Sequence, residues 1–542
     1  MTAGVRQQSR DAARPRAGRW PRPPVLLALL VGLAGVGYRL ALLLADTPRT
    51  NSDEATMGLA ALHIARGEDF PVFFYGQAYM GALEAYLAAP LFALFGPSVP
   101  ALRLPLLALY ALFLLLAWRL TRRLGGDRWF ALLVVTVLAL GSDRIVKNQL
   151  IAGGGYPELN PIGVGLALLA LDLAAGRAAG RRWRFAAFGL LTGLTLWVDP
   201  LLLPYLLALG AVLAGTVRRE LRGRSGLLLG GAALFGAAPL LGESLAHGRN
   251  PLTAVFHAGG GDAAAAWADR LHGGLVLGPP LGMGLCAPSH CAPWQLWWAV
   301  ALPVLLVLAG LAAWRGLGGA DTGGVGPEQA RRAPAAVRLA LVIGAAGTLA
   351  AYTVSSAAGL TPVESSRYLS CLGISTPALL WPLWTAARRS RHPVDGRPAT
   401  PTGRGLRRVA AVGTLVALVA AGTVATVGAI GRTPTDRAEA DRHRAMADAL
   451  RERGVRQVYG EYWTCNRLTF AAGEEIVCAV VDERLRPGFD RLPAYRREVA
   501  RAAAPGYVAP AGSPLADRLD RSPPAGLTRV TVDGWRLWLP AR

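Results

Sequence analysis

Charged side chains are scarce in this chain of 542 residues. Asp, Glu, Lys and Arg together make up only 17% of it, whereas 53% of the residues are hydrophobic. This balance argues against an ordinary soluble domain, because apolar stretches of about 18 or more residues are typical of bilayer spans. We predict about 11 transmembrane helices from the apolar segments, several of which are short for a complete span: 25–45, 101–120, 130–141, 162–173, 185–197, 201–217, 226–241, 296–314, 339–354, 368–384 and 409–430.

Lysine is almost absent, since Lys147 is the only one, yet arginine gives the chain a formal net charge of +22. The arginines lie mainly in short loops between apolar segments, where they orient helices, so no nucleic-acid partner is predicted. An even number of apolar segments separates successive basic clusters, which places all the clusters on one side. The pattern predicts a multi-pass plasma-membrane protein with a cytoplasmic basic tail (1–24), a membrane domain (25–430) and a small extracytoplasmic α/β domain (431–542).

Cysteine is also rare, and the five residues show no Cys/His spacing that would hold a metal ion. The sequence therefore supports no cofactor, and a divalent metal finds no support either. Cys286 and Cys291 share one predicted outer loop, and Cys465 and Cys478 share the tail. If both regions are extracytoplasmic, each pair is predicted to form a disulfide.

The first outer loop carries adjacent carboxylates, Asp53 and Glu54, directly after the first span. One interpretation is structural: Ser52 or Asp53 caps the helix that follows, and Glu54 favours its positive end. The other is chemical: a carboxylate at the membrane surface, shielded by interfacial helices, suits a general base for an acceptor hydroxyl. The apolar segment 79–95 is predicted to be one of these interfacial helices.

The order of segments after this acidic pair resembles the GT-C superfamily of glycosyltransferases. In that superfamily an acidic residue opens the first outer loop, interfacial helices follow, and a segment similar to FGPSVPALRL at 95–104 enters the second span. The likeness is greatest to protein O-mannosyltransferases and aminoarabinose lipid A transferases. It implies a polyprenyl-phosphate sugar as donor, inverting transfer at the extracytoplasmic face, Asp53 as catalytic base and Glu54 as its helper.

Basic and aromatic residues of the other outer loops are candidates for substrate binding. Lys147 and Arg367 could stabilise a leaving lipid phosphate, and the glycines at 153–155 permit close approach of a ligand. The alternatives are a flexible turn with charges that reach the headgroups and an interfacial Arg–Tyr anchor. The complete set of predicted substrate-binding residues is Tyr75, Gln77, Arg103, Lys147, Tyr156, Glu158, Arg367 and Tyr368.

Two other classes of function remain open at this point. A transporter or lipid flippase would place polar groups near the middle of the bilayer, often in repeated halves. A non-catalytic anchor for the tail domain would leave the Asp53–Glu54 loop without a role. Most carboxylates here lie at predicted outer helix ends, which favours an interfacial enzyme whose acceptor is a glycan, a lipid or a protein.

Overall fold

The computed structural model describes residues 23–248, 264–287, 291–318, 328–388 and 401–541, so the predicted basic tail 1–24 lies almost wholly outside it. The chain is mainly helical, and each of the apolar segments lies in helix. The helices of the first half are α1 Pro23–Leu44, α2 Ser52–Arg66, α3 Leu83–Phe95, α4 Val99–Arg123, α5 Arg128–Ala139, α6 Asp143–Leu150, α7 Tyr156–Ala174, α8 Arg181–Val198, α9 Leu203–Thr216, α10 Arg218–Leu221, α11 Arg224–Gly236 and α12 Ala238–His247.

The second half continues with shorter and more broken helices before the tail. They are α13 Trp267–Leu271, α14 Gly278–Gly282, α15 Trp297–Gly318, α16 Glu328–Val354, α17 Ser356–Leu360, α18 Pro362–Ser365, α19 Thr376–Leu379, α20 Trp381–Arg388 and α21 Pro401–Gly431, with a 3-10 helix at Ser366–Ser375. The predicted disulfide between Cys286 and Cys291 is confirmed.

Six helices of the described residues are long and apolar enough to cross a membrane, or eight if the bent pairs α5–α6 and α11–α12 each form one span. The predicted count of about 11 is therefore not confirmed. The difference has a local cause. Helix α9 is short, α8 begins with a cluster of arginines, and the segment 366–388 is broken into short pieces at proline-rich positions.

The tail after Gly431 is the predicted small α/β domain. Helix α22 (Thr433–Glu452) leads into a five-stranded mixed sheet of order β2-β1-β3-β5-β4. Its elements are β1 Gln457–Gly460, α23 Tyr462–Ala471, β2 Val477–Val480, α24 Pro493–Arg501, β3 Gly506–Pro510, α25 Pro514–Arg521, β4 Leu527–Val532 and β5 Trp535–Pro540. The predicted disulfide of Cys465 with Cys478 is confirmed and ties α23 to β2.

Helix α23 of the tail packs directly against α2 of the first outer loop. The Asn466 side chain donates to the Thr56 hydroxyl at 2.8 Å, and the Ser52 hydroxyl donates to the Tyr462 carbonyl at 2.5 Å. A Cβ on Gly58 would lie 2.6 Å from the Phe470 ring, so glycine is required for this close approach. The tail domain is thus seated on the loop that carries Asp53.

The other predicted outer loops meet at the same end of the molecule. The Gly81 amide donates to the Val198 carbonyl at 2.8 Å, and the Trp197 indole donates to the Val72 carbonyl at 2.9 Å. The Asn148 side chain reaches the Arg367 carbonyl at 3.4 Å. These contacts join four segments that are distant in sequence, in two pairs.

Candidate active site

Helix α2 is capped by a residue other than Asp53, which leaves the Asp53 side chain for other contacts. The Asn51 side chain accepts a hydrogen bond from the Glu54 amide at 2.8 Å, while the backbone of Asn51 is extended. The expectation that Ser52 or Asp53 caps the helix is therefore wrong by one or two positions. A cap residue must lie outside the helix with a non-helical backbone, and Ser52 and Asp53 already lie inside it.

The Asp53 carboxylate is held by two side chains of the tail domain. The Tyr462 hydroxyl donates to Asp53 Oδ1 at 2.5 Å, and Arg491 Nη2 donates to the same oxygen at 3.0 Å. Burial raises the pKa of Tyr462, and the adjacent Asp53 carboxylate raises it further, so this hydroxyl remains a donor. The Asp53 side chain keeps 27% of its surface exposed, which leaves it accessible to a ligand.

The neighbouring carboxylate, Glu54, has a different environment. Arg103 contacts it through two nitrogens at 2.7 and 2.6 Å, and the Thr50 hydroxyl donates to it at 2.9 Å. Both side chains of the Glu54–Arg103 pair are completely buried. A paired and inaccessible carboxylate is not positioned to take a proton from an acceptor. The geometry gives Glu54 and Arg103 a structural role instead of the predicted catalytic and substrate-binding ones.

Two fully buried carboxyl groups lie next to this pair. Glu84 of α3 accepts hydrogen bonds from the Gly154 and Gly155 amides, each at 3.1 Å, so the predicted glycine-rich turn binds a protein carboxylate. Burial raises the pKa of Glu84, and the two amides oppose this effect. Glu158 lies beside Glu84 and is also almost completely buried, so the two carboxyl groups interact directly.

Asp199 is a third acid of this region. Its side chain accepts a hydrogen bond from the Leu201 amide at 2.8 Å, as expected for a residue that initiates the turn. Part of its surface remains accessible, but protein surrounds the carboxyl group, and this burial raises its pKa to about 6. Arg367 is close enough to oppose that increase electrostatically. Asp199 therefore belongs to the same polar region as the predicted residues.

Arg367 lies between aromatic rings, and the predicted residues Tyr156 and Tyr368 supply them. Its guanidinium carbon is 5.4 Å from the Tyr156 ring centroid and 5.6 Å from that of Tyr368, and the two rings stack at 6.3 Å. Asp53 lies within electrostatic range of this guanidinium. Arg367 Nε is buried and has no partner among the described residues, so the group has donor capacity to spare.

Lys147 and Arg144 project from the short helix α6 next to Arg367. Arg144 interacts electrostatically with Arg367, and Lys147 with both Arg144 and Arg432. Asp143 is the carboxylate they share. Arg144 Nε is also buried without a partner in the described residues. The four cations thus form a connected cluster, and two of them retain a buried N–H available to an anion.

Tyr75 and Gln77 lie at the edge of this region. The Tyr75 hydroxyl bonds to His63 and to Asp69, each at 2.8 Å, so it faces the tail contact rather than Asp53. The backbone carbonyl of Tyr75 instead accepts from Arg491 at 3.2 Å. Gln77 Oε1 is buried without a partner among the described residues.

One group near Tyr75 has metal-ligand geometry. His63, Glu68 and Glu474 bring potential ligand atoms within 4.8 Å of one another. Arg66 donates to Glu474 at 2.5 Å, and Tyr495 does so at 2.7 Å. The Arg66 guanidinium already pairs with the Glu474 carboxylate, which disfavours binding of a metal cation. We therefore assign this cluster to the contact between the tail domain and α2, which we call tail docking.

Sequence reasoning missed four groups of the site. The sequence around Tyr462 and Arg491 does not indicate a role in the site, because these residues reach Asp53 only through folding of the tail domain. Glu84 did have a signal, namely an acid inside an otherwise apolar helix. Asp199 precedes a proline, a pattern typical of a turn, and nothing in the sequence indicates its proximity to Arg367.

No protein-family model and no curated protein matches this sequence. Solved structures do match its fold. ArnT from Cupriavidus metallidurans bound to undecaprenyl phosphate is 14% identical with a TM-score of 0.57, and the alignment covers 95% of this chain and 97% of that one. Its apo form is 15% identical with a TM-score of 0.56 at the same coverage. The chain therefore shares the fold of these two ArnT structures.

Proposed function

We propose that this protein is an inverting glycosyltransferase that moves a sugar from a polyprenyl-phosphate donor to an acceptor at the extracytoplasmic membrane face. The observation that carries the proposal is the position of Asp53, a partly exposed carboxylate within electrostatic range of the cation Arg367. Such a transfer needs one group that accepts a proton and another that stabilises a phosphate. Here the two lie on separate loops that fold to the same place.

Asp53 is assigned as the general base. The acceptor hydroxyl gives its proton to the carboxylate while its oxygen forms a bond to the anomeric carbon. The bond from that carbon to the phosphate oxygen breaks, and the electron pair leaves with the polyprenyl phosphate. A positioned base contributes roughly 100- to 10,000-fold to the rate of such a step. Glu54 is excluded from this role here, because Arg103 occupies its carboxylate and no solvent reaches it.

The cationic cluster of Arg144, Lys147 and Arg367 is assigned to the lipid phosphate. Charge develops on the leaving phosphate as the glycosidic bond breaks, and preorganised donors in a dehydrated site stabilise it. The buried, unpartnered N–H groups of Arg144 and Arg367 supply such donors. Because the arginine fork can bind phosphate bidentately, it gives orientation as well as charge.

The fold comparison agrees with a lipid-phosphate donor. The ArnT structure of similar fold contains undecaprenyl phosphate. The transporter alternative is not favoured, because the acids Asp53, Glu84 and Asp199 gather at one end of the helical bundle and not near the middle of a span. In this proposal residues 25–430 form the catalytic membrane domain, and 431–542 form an extracytoplasmic domain above it.

Turnover of synthetic lipid donors tests this function. Purified protein in nanodiscs would be given undecaprenyl-phosphate hexoses and pentoses together with membrane extract as the acceptor source, and released undecaprenyl phosphate would be measured. We expect turnover of at least one donor, and we expect Asp53→Asn to lower it by roughly 100-fold or more while undecaprenyl phosphate still binds. Asp53→Asn protein with more than about a tenth of normal turnover would remove Asp53 from the mechanism.

A further inference from the structure

We propose that the tail domain is a working half of the active site, in which Arg491 and Tyr462 position the Asp53 carboxylate so that only Oδ2 faces the acceptor. This inference rests on the proposed function, since it assigns roles relative to the base. It adds two positioning residues that lie more than 400 positions away in sequence. The tail is then a required part of the catalytic unit and not an appendage to it.

The hydrogen bonds to Asp53 are unequal between its two oxygens. Tyr462 and Arg491 both donate to Oδ1. Within the residues that the structure describes, no side chain donates to Oδ2. An oxygen that accepts two strong hydrogen bonds is a poorer proton acceptor than one that accepts none, so Oδ2 is the basic atom. The two bonds also fix the rotation of the carboxylate, which directs Oδ2 outward.

Arg491 is itself held rigidly, as positioning requires. Its Nε donates to the Tyr462 hydroxyl at 2.5 Å, and its guanidinium carbon lies 4.4 Å from the Phe74 ring centroid. The Phe489 ring centroid lies at 5.4 Å on the same guanidinium. Only 9% of the Arg491 side chain is exposed. An arginine fixed on several sides has little rotamer freedom left to lose, so it can hold its partner at low entropic cost.

The other charges near Asp53 cannot replace this arrangement. Arg367 approaches from the first turn of the 3-10 helix, and it is assigned to the phosphate. Glu54 and Arg103 neutralise each other in a closed pair. Of the groups described around Asp53, only Arg491 and Tyr462 contact the carboxylate directly. Loss of Arg491 therefore leaves the carboxylate free to rotate and to pair with Arg367.

Substitutions at Arg491 test the positioning role. In the undecaprenyl-phosphate sugar assay, Arg491→Met is expected to lower kcat about 100-fold, the usual effect of a misplacement of about 1 Å, with KM for the lipid donor and undecaprenyl phosphate binding unchanged. Arg491→Lys retains a charged donor and is expected to recover about tenfold of that loss. Tyr462→Phe removes the other bond and is expected to cost about tenfold. Combining Arg491→Met with Asp53→Asn is expected to be no worse than Asp53→Asn alone, because both changes disable one unit.

Arg496→Met is the matched control. Arg496 lies on α24 of the same domain and donates to Asp490 at 3.0 Å, so its loss perturbs the tail without contacting Asp53. We expect its kcat to stay within about threefold of normal. The inference fails if Arg491→Met also stays within threefold, if Arg496→Met falls as far, or if Arg491→Met lowers the residual rate of Asp53→Asn further.

A second measurement needs no substrate and separates this inference from the proposed function. Hydrogen exchange of residues 489–491 is expected to be faster in Asp53→Asn than in the wild type, because Arg491 loses its anionic partner. Unchanged exchange would overturn the positioning contact, whatever reaction the protein catalyses. Normal turnover by Asp53→Asn would instead overturn the proposed function, even if the exchange result is as expected.

Discussion

The two ends of the helical bundle use charged residues in opposite ways. At one end, Arg123, Arg177 and Arg184 gather around the single carboxylate Asp172, and Arg181 pairs with Glu220 in contact with solvent. At the end that carries Asp53, several ionisable groups are buried, and Arg144 and Arg367 each have a buried N–H without a partner among the described residues. Ion pairs that are exposed to solvent contribute little to stability. Burial of a charged group costs free energy unless a specific partner compensates for it. The first end is suited to orienting the chain in a membrane and the second to chemistry.

Three Arg–Glu pairs differ in how deeply the glutamate is buried, so they allow this contrast to be tested. The exposed fraction of the glutamate side chain rises from 0% in Glu54 to 17% in Glu474 and 39% in Glu220. If burial determines the role, the effect of removing each glutamate's charge should fall in that order.

Glu54→Gln is expected to have the largest effect on stability. The substitution leaves Arg103 as a buried charge without its partner, which typically costs about 3–5 kcal/mol. Thermal unfolding of the purified protein, followed by size-exclusion chromatography, measures the loss. Glu54→Gln combined with Arg103→Met removes both charges and is the control, which should recover most of the stability. A loss below about 1 kcal/mol for Glu54→Gln would contradict the structural role assigned to this pair.

Glu474→Gln is expected to loosen tail docking by an intermediate amount. Burial raises the pKa of Glu474, but the hydrogen bonds from His63 and Tyr495 outweigh it and lower the pKa to about 2. A depressed carboxyl pKa stabilises docking fully above the unfolded value of about 4.3, and this stabilisation is lost as the pH falls toward 2. After allowance for solvent screening we expect about 1–2 kcal/mol.

Hydrogen exchange of α23 as a function of pH measures this docking. After correction for the intrinsic pH dependence of amide exchange, wild-type protein should lose protection of α23 as the pH falls from about 5 to 2, since protonation of Glu474 weakens its bonds. Glu474→Gln should exchange faster already at neutral pH and should lose that dependence. Equal pH dependence in the two proteins would mean that another group controls docking.

Glu220→Gln is expected to have the smallest effect. Arg181 contacts Glu220 at 2.5 and 2.6 Å, but the glutamate is well exposed, so the pair is worth no more than about 1 kcal/mol. Thermal unfolding at low and high salt checks this, because an exposed pair is screened by salt. Arg181→Gln removes the same pair together with a bond to the Leu173 carbonyl, so its loss should be equal or slightly larger. A loss comparable to that of Glu54→Gln would refute the distinction between the two ends.

The membrane architecture could be predicted to a large extent from the sequence. Apolar segments report helices directly, because a chain in lipid must satisfy its backbone internally. The number of spans could not be predicted, since length and composition do not determine whether bent pairs such as α5–α6 act as one crossing. The cap of α2 was misplaced because Asn51, Ser52 and Asp53 are equally good cap residues by type, and only backbone conformation distinguishes them.

Candidate site residues could be predicted from the sequence only where they lie in or next to a predicted outer loop. Asp53, Arg367, Tyr156 and Tyr368 lie near the ends of predicted spans, and their roles in the site stay predictions. Glu54 could not be separated from Asp53 by sequence, because its difference arises from Arg103, 49 positions further on. The contact of Arg491 with Asp53 could not be predicted for the same reason, since tertiary folding alone brings the two residues together.

The chain order of the Asp53 contacts has a consequence for biosynthesis. Asp53 leaves the ribosome early, whereas Tyr462 and Arg491 follow 409 and 438 residues later. The membrane helices are therefore inserted before the carboxylate acquires its partners. In the proposed mechanism, a nascent chain that stalls before the tail has folded carries the donor-binding cations but no positioned base. In that mechanism, folding of the tail domain positions the base, and chains that lack a folded tail do not consume the lipid donor.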